Sequence, residues 1–224
     1  FACAFTMFAG AAFTDEADIN ADNADAVDVL TTLGVIKGYE DGSFQPDGTV
    51  TRAEMAKMIY VIRNGGNDDA SSYESVATSF TDISGHWAEG YIKYLQNTGI
   101  VAGKNTAQTI FDPDSTVTTG EAMKMALVLA GYRADKAGLT GTAWLNNTLS
   151  YATTYGLTDD VHSAISGGCT RQDAAQILSN ALSMDAVVWS EFVSSFVYDG
   201  DEGLATGNRQ SVGKEWMDLW TNIG

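Results

Sequence analysis

The chain repeats itself, and that constrains its fold more than any other feature. Gly34 to Ile62 reads GVIKGYEDGSFQPDGTVTRAEMAKMIYVI, and Gly99 to Leu129 reads GIVAGKNTAQTIFDPDSTVTTGEAMKMALVL. Pro46 and Pro113 are 67 residues apart, as are Asp47 and Asp114, Val50 and Val117, and Glu54 and Glu121. A weaker third copy, GLTDDVHSAISGGCTRQDAAQILSNAL from Gly156 to Leu182, lacks the Phe-x-Pro element and has a shorter loop. A fixed period of this kind marks small units that cannot bury their apolar faces alone and must share a core.

The upstream halves align as well. Helical stretches DNADAVDVLTTL, WAEGYIKYLQNT and WLNNTLSYATTY precede Gly34, Gly99 and Gly156. Trp87 and Trp144 each lie twelve residues before their glycine, and Asp22 holds that place in copy one. Each unit therefore reads helix, Gly, loop, helix, with the glycine in the left-handed position that ends a helix. The second helices carry apolar residues at i, i+3, i+4 and i+7. These are Met55, Met58, Ile59 and Ile62, then Ala122, Met125, Ala126 and Leu129, then Ala174, Ile177, Leu178 and Ala181. The expected fold is mainly α: three helix-loop-helix units, at 13–66, 67–133 and 134–184, around a shared core.

The starts of the second helices read Thr51-Arg-Ala-Glu54, Thr118-Thr-Gly-Glu121 and Thr170-Arg-Gln-Asp173. A Thr followed three residues later by an acid is a capping box, in which each side chain bonds the other's backbone N–H. That gives Thr51, Thr118, Thr170, Glu121 and Asp173 structural roles, with the shorter Asp173 the weaker version. Capping does not account for the arginines. Arg52 and Arg171 fall on the first helical residue, where a cation opposes the helix dipole. They are two of only five Arg in the chain. A guanidinium added to a helix start makes a forked anion site, so these two are candidate contacts for an anionic ligand. A surface Arg paired with a neighbouring carboxylate is the alternative. Thr119 holds the same place in copy two, so its equivalent site should be weaker or absent.

Charge sharpens this contrast. Twelve Lys+Arg face 29 Asp+Glu, a formal net charge of −17. That excludes a nucleic-acid binder, which needs a basic face to displace counterions, and electrostatic docking on an anionic bilayer. Two cysteines, Cys3 and Cys169, form neither a disulfide framework nor a zinc site. His86 and His162 leave little for metal or general-base chemistry. Asp18-x-Asn20-x-Asp22 hints at a calcium loop, but Asn23 and Val29 stand where the Gly and the bidentate Glu belong. No cofactor or metal is expected, apart from a divalent cation such as calcium bridging acidic copies. No nucleophile, zinc, Walker or dinucleotide motif is present.

These residues resemble the S-layer homology (SLH) domains, the wall-anchoring repeats of bacterial surface proteins. The family's Phe-x-Asp opening is seen as Phe13-Thr14-Asp15 and Phe80-Thr81-Asp82, and its Trp-Ala helix start as Trp87-Ala88. Its turn and loop are seen as Gly34-Val35-Ile36-Lys37-Gly38 and Asp41-Gly42-Ser43-Phe44-Gln45-Pro46, and its box as Thr51-Arg52-Ala53-Glu54. Copy two keeps Gly99-Ile100-Val101-Ala102-Gly103 and Phe111-Asp112-Pro113 but loses the box Arg. Copy three is divergent and matches mainly through Thr170-Arg171-Gln172-Asp173. The resemblance covers about residues 13–183.

The resemblance implies a pseudo-threefold spindle with one helix of each repeat in a central bundle. It also implies a secondary wall polysaccharide, often with pyruvate-ketal sugars, bound in grooves between repeats, and a box Arg meeting its charge. The candidate ligand contacts are then Arg52, Arg171, Glu54, Trp87, Trp144, Tyr39, Asp41 and Gly42. Trp87 and Trp144 can stack on a sugar ring or fill the core, and core is the commoner fate of Trp. Tyr39 is a plausible groove-lining ring. Lys37 and Lys104 lie on nearby loops and read as solvated surface.

The ends carry further expectations. Residues 1–12 read as the remnant of a signal peptide, too short to span a bilayer, and imply secretion to the bacterial cell surface. Cys3 is a conceivable lipidation site. Residues 185–224 read as a further helix, with Val188, Phe192 and Phe196 in helical spacing, leading into a following region. The functional expectation is a non-enzymatic anchor binding a cell-wall polysaccharide or peptidoglycan-linked polymer. The alternatives are a subunit that assembles with copies of itself into an S-layer or filament, and the anchor of a larger wall-active enzyme.

Overall fold

A computed structural model describes residues 13–198. The expectations for 1–12, including Cys3, and for 199–224 lie outside the described residues. Six α-helices carry the fold: α1 (Ala24–Thr32), α2 (Arg52–Arg63), α3 (Glu89–Asn97), α4 (Thr119–Leu129), α5 (Trp144–Thr154) and α6 (Arg171–Ser183). Two short strands follow, β1 (Val187–Ser190) and β2 (Ser195–Tyr198). The protein is mainly α, as the periodicity predicts.

The helices begin and end where the side chains dictate. Thr51 and Thr118 accept from the backbone N–H of Glu54 and Glu121, and each glutamate accepts the threonine N–H in return, completing two capping boxes. Thr170 caps α6 by accepting from the Asp173 N–H. The Asp173 carboxylate goes elsewhere: it accepts from the backbone N–H of His162 and Ser163 and from the Ser163 hydroxyl. A side chain one methylene shorter than Glu thus fixes the short third loop rather than closing a box. Gly34, Gly99 and Gly156 end α1, α3 and α5 at φ of +70°, +77° and +76°, which a Cβ would disfavour.

The first helix of each unit does not pack mainly on its own second helix. It docks on the second helix of the unit before: α3 on α2, α5 on α4, and α1 on α6, so that the first unit closes onto the third. α4 also touches α2 and α6, which makes these three the centre. Every residue of the three predicted apolar stripes is buried. α4 buries Met123, Leu127 and Val128 besides its stripe, as a helix covered on most sides must.

The segments leading into α2, α4 and α6 meet in a closed ring of three antiparallel bridges: Thr51 with Thr116, Thr118 with Gly168, and Thr49 with Thr170. Val117 N–H donates to Val50 O, Cys169 N–H to Val117 O, and Val50 N–H to Cys169 O, at 2.9–3.0 Å. Each segment thus serves the next, and the ring has pseudo-threefold order. The third member departs from it at Gly168, where the others have Thr49 and Thr116. A Cβ on Gly168 would stand 2.8 Å from Thr116 Cγ2 and 3.0 Å from Thr49 Cγ2, so the centre has room for two threonines but not three side chains.

The helix expected from residue 185 onward is a β-hairpin. Val187, Val188 and Trp189 pair with Tyr198, Val197 and Phe196. Both runs are β-branched or aromatic, and β-branched and aromatic side chains pack well across a pleated pair. Val187 N–H donates to Ala130 O at the end of α4, and the Phe196 ring lies 4.9 Å from that of Tyr132. The helical spacing of Val188, Phe192 and Phe196 is coincidental, because Phe192 sits exposed in the turn.

Candidate functional site

Two clefts line the boundaries between units, and they are built from corresponding residues. The α2 cleft, about 210 Å³, is lined by Gly34–Tyr39, Glu54, Lys57, Met58, Trp87 and Arg171. The α4 cleft, about 460 Å³, is lined by Ile100–Lys104, Glu121, Lys124, Met125, Trp144 and Arg52, among others. Each therefore takes the post-helix turn, the box glutamate, and a Lys and Met from one second helix. The Trp comes from the next unit and the Arg from the unit before. The cyclic packing brings these together. Arg52 and Glu121, 69 residues apart in sequence, thus share one wall.

Neither Arg stands as a free fork at a helix start. Both are only 5% exposed. The helix-start donors are also already bound: Arg52 and Ala53 N–H donate to Ser115 and Pro113 O, and Arg171 and Gln172 N–H to Gly48 and Pro46 O. The anion site expected from the helix dipole is therefore closed by the ring of loops. The guanidinium groups cross unit boundaries instead. Arg52 Nε donates to Phe111 O at 2.8 Å, with its Cζ 4.6 Å from the Phe111 ring centre. Arg171 Nε donates to Phe44 O at 2.8 Å, with its Cζ 4.6 Å from the Tyr39 ring centre and 5.1 Å from that of Phe44.

The last contact of each Arg differs. Arg52 pairs with Glu121 Oε1 at 3.0 Å. Arg171 donates instead to the Lys37 carbonyl at 3.0 Å, and no carboxylate among the described residues lies within ion-pair distance of it. Burial lowers the Arg52 pKa, against the opposing fields of Glu121, Asp112 and Asp82.

The lysines differ in the opposite sense. Lys57 pairs with Asp68 at 3.1 Å, and Lys37 shares the same carboxylate at 3.0 Å. Burial would raise the Asp68 pKa, but hydrogen bonds from Lys37, Lys57 and Tyr91 hold it below the usual value. Lys124 has no carboxylate within that distance among the described residues. Its Nζ lies 5.5 Å from the Trp144 ring centre. Burial lowers its pKa, the nearby Arg52 charge lowers it further, and Glu121 opposes both.

The remaining candidates sort by position. Trp87 is 56% exposed, so the core reading fails for it, while Trp144 is half-buried. Tyr39 lines its cleft beneath Arg171. Asp41 and Gly42 are not part of the lining; they shape the turn that carries Tyr39. Asp41 accepts from the Ser43 N–H and hydroxyl, and Gly42 N–H donates to Tyr39 O. Glu54 is both cap and lining residue. Lys37 and Lys104 line the clefts and are ion-paired, Lys104 with Asp112 at 3.0 Å, rather than merely solvated. Lys57 and Lys124 were not among the sequence candidates. Their signal is legible in retrospect: each follows its box glutamate by three residues and shares that helix face.

The third junction lacks this set. Thr119, Gln176 and Asp22 stand where the other two have Arg, Lys and Trp. Thr119 is fully buried. Gln176 accepts from the buried Asn23 side chain at 3.2 Å, and Asp22 lies 3.7 Å from the His162 ring.

The described helices include none long and apolar enough to cross a membrane. The S-layer homology domain family matches residues 12–56 and 79–123. Over 183 residues, 81% of the chain, it is 30% identical to the middle cell wall protein of Brevibacillus brevis, of which it spans 16%. It is 32% identical over 145 residues, 62% of the chain, to a surface layer protein of Brevibacillus choshinensis, and spans 12% of that protein. Over 101 residues, 45% of the chain, it is 32% identical to the cellulosome-anchoring protein of Acetivibrio thermocellus and spans 22% of it. The chain thus covers a small part of each relative's length. Residues 12–56 and 79–123 of this chain are S-layer homology domains.

Proposed function

We propose that this chain is a non-enzymatic anchor that holds a secreted protein on the bacterial cell wall by binding an anionic wall polysaccharide in its two clefts. One observation carries the reading. On a chain of net charge −17, two corresponding clefts each gather an Arg, two Lys and an accessible indole. Cations fixed beside an aromatic face suit an acidic sugar, whose carboxylate meets the charge while its ring stacks on the indole. A pyruvate-ketal sugar combines those two features. Residues 134–184 are read as a third, divergent repeat that closes the ring and contributes Arg171 and Trp144 without a comparable site of its own.

The test is co-sedimentation of the chain with purified wall sacculi, intact and stripped of secondary polysaccharide. Binding to intact sacculi that is lost on stripping supports the anchor. Equal binding to both contradicts it. Kinship with a surface layer protein favours a second reading, assembly of the chain into sheets or tubes. Electron microscopy of the isolated chain with and without calcium tests it: ordered sheets support assembly, and persistent monomers contradict it.

A further inference from the structure

We infer that Lys124, not Arg52, is the cation that meets the ligand's negative charge in the α4 cleft, while Arg171 does so in the α2 cleft. The inference rests on the cleft reading above and assigns its charge partners.

Each cleft has one Arg and one helix Lys in corresponding places, and in each cleft one of the two cations is already neutralised. In the α4 cleft the neutralised one is Arg52, with Glu121 at 3.0 Å, the Phe111 carbonyl at 2.8 Å and the Phe111 ring against its plane. A ligand carboxylate there would have to displace or share Glu121. Lys124 meets no carboxylate within ion-pair distance among the described residues, and its Nζ lies over the Trp144 ring at 5.5 Å. In the α2 cleft the roles reverse. Asp68 takes Lys57 and Lys37, and Arg171 is held only by two carbonyls and two rings.

Asp135, which lies 67 residues after Asp68, pairs with Arg133 at 2.7 Å, outside the cleft lining. Lys124 is half-buried, with no carboxylate within ion-pair distance among the described residues. Around it stand Arg52 from α2, Glu121 from its own helix, Trp144 from α5 and Lys104 from the loop after α3. Burial and the Arg52 charge lower its pKa, Glu121 opposes them, and an arriving carboxylate would relieve the penalty.

Indole N–H resonances of Trp144 and Trp87 report the two clefts separately by NMR, with the methyl glycoside of a 4,6-pyruvate-ketal hexose as probe. Lys124→Ala should weaken the Trp144 response about tenfold or more, the loss expected when a charge-assisted contact is removed, and leave Trp87 unchanged. Lys124→Arg should restore most of it. Raising the pH should weaken the Trp144 response before that of Trp87, since Lys124 loses its proton well before a guanidinium does. A Lys124→Ala protein with an unfolding midpoint like the parent's and an unchanged Trp144 titration overturns the assignment. A parent protein in which neither indole responds overturns the cleft reading itself.

Discussion

The α2 and α4 clefts are built by the same sequence pattern and end with opposite charge partners. The box Arg reaches across a boundary in both. In the α4 cleft it finds the box glutamate of the next unit, and in the α2 cleft it finds a backbone carbonyl. The helix Lys is free in one and tied to Asp68 in the other. The motif therefore specifies where cations gather. It does not specify which cation is left unpaired, because that depends on an acid outside the motif, Asp68, and on what the box Arg meets across the boundary.

The largest effect that would break this comparison is on stability. Arg52→Ala leaves Glu121 half-buried without its cation and frees the Phe111 carbonyl. It should cost about 3 kcal/mol in denaturant unfolding, as expected when one partner of a buried pair is removed. Arg171→Ala removes two hydrogen bonds to carbonyls but no ion pair, and should cost about 2 kcal/mol. Equal costs would mean that the Glu121 contact adds nothing.

Next comes the effect on binding. Asp68→Asn should release Lys57 and Lys37 and tighten the acidic sugar at Trp87 by about fivefold, the scale of a half-exposed ion pair. The Trp144 response should not change. No gain at Trp87 would mean that Asp68 does not compete with the ligand. The smallest effect concerns the exposed indole. Trp87→Ala should alter stability by no more than about 0.5 kcal/mol, whereas the half-buried Trp144→Ala should cost more. A large loss from Trp87→Ala would place that ring in the core after all.

How much was legible in the sequence follows the same line. Local signals were sound: the capping threonines, the helix-ending glycines and the apolar stripes all lie where their spacing puts them. The loss of a cation at Thr119 was also visible, since it needs only one residue to be read. The pairing of first helices with the preceding unit was not legible, because apolar stripes do not name their partners. That hidden pairing is why the sequence alone presents Arg52 and Arg171 as open helix starts. The carbonyls of Ser115, Pro113, Gly48 and Pro46 that occupy those starts come from other units. The hairpin at 187–198 hides behind Val188, Phe192 and Phe196, which satisfy a helical period, while the β-branched and aromatic runs around the turn decide the outcome.

The central claim is that two clefts, each through one uncompensated cation, hold an anionic wall polymer. Its most direct test is co-sedimentation of the parent, Arg171→Gln, Lys124→Gln and the double variant with intact wall sacculi, all checked for equal unfolding midpoints. Each single variant should bind more weakly, and the double should fall to the level of stripped sacculi. A double variant that sediments with intact sacculi as fully as the parent would contradict it.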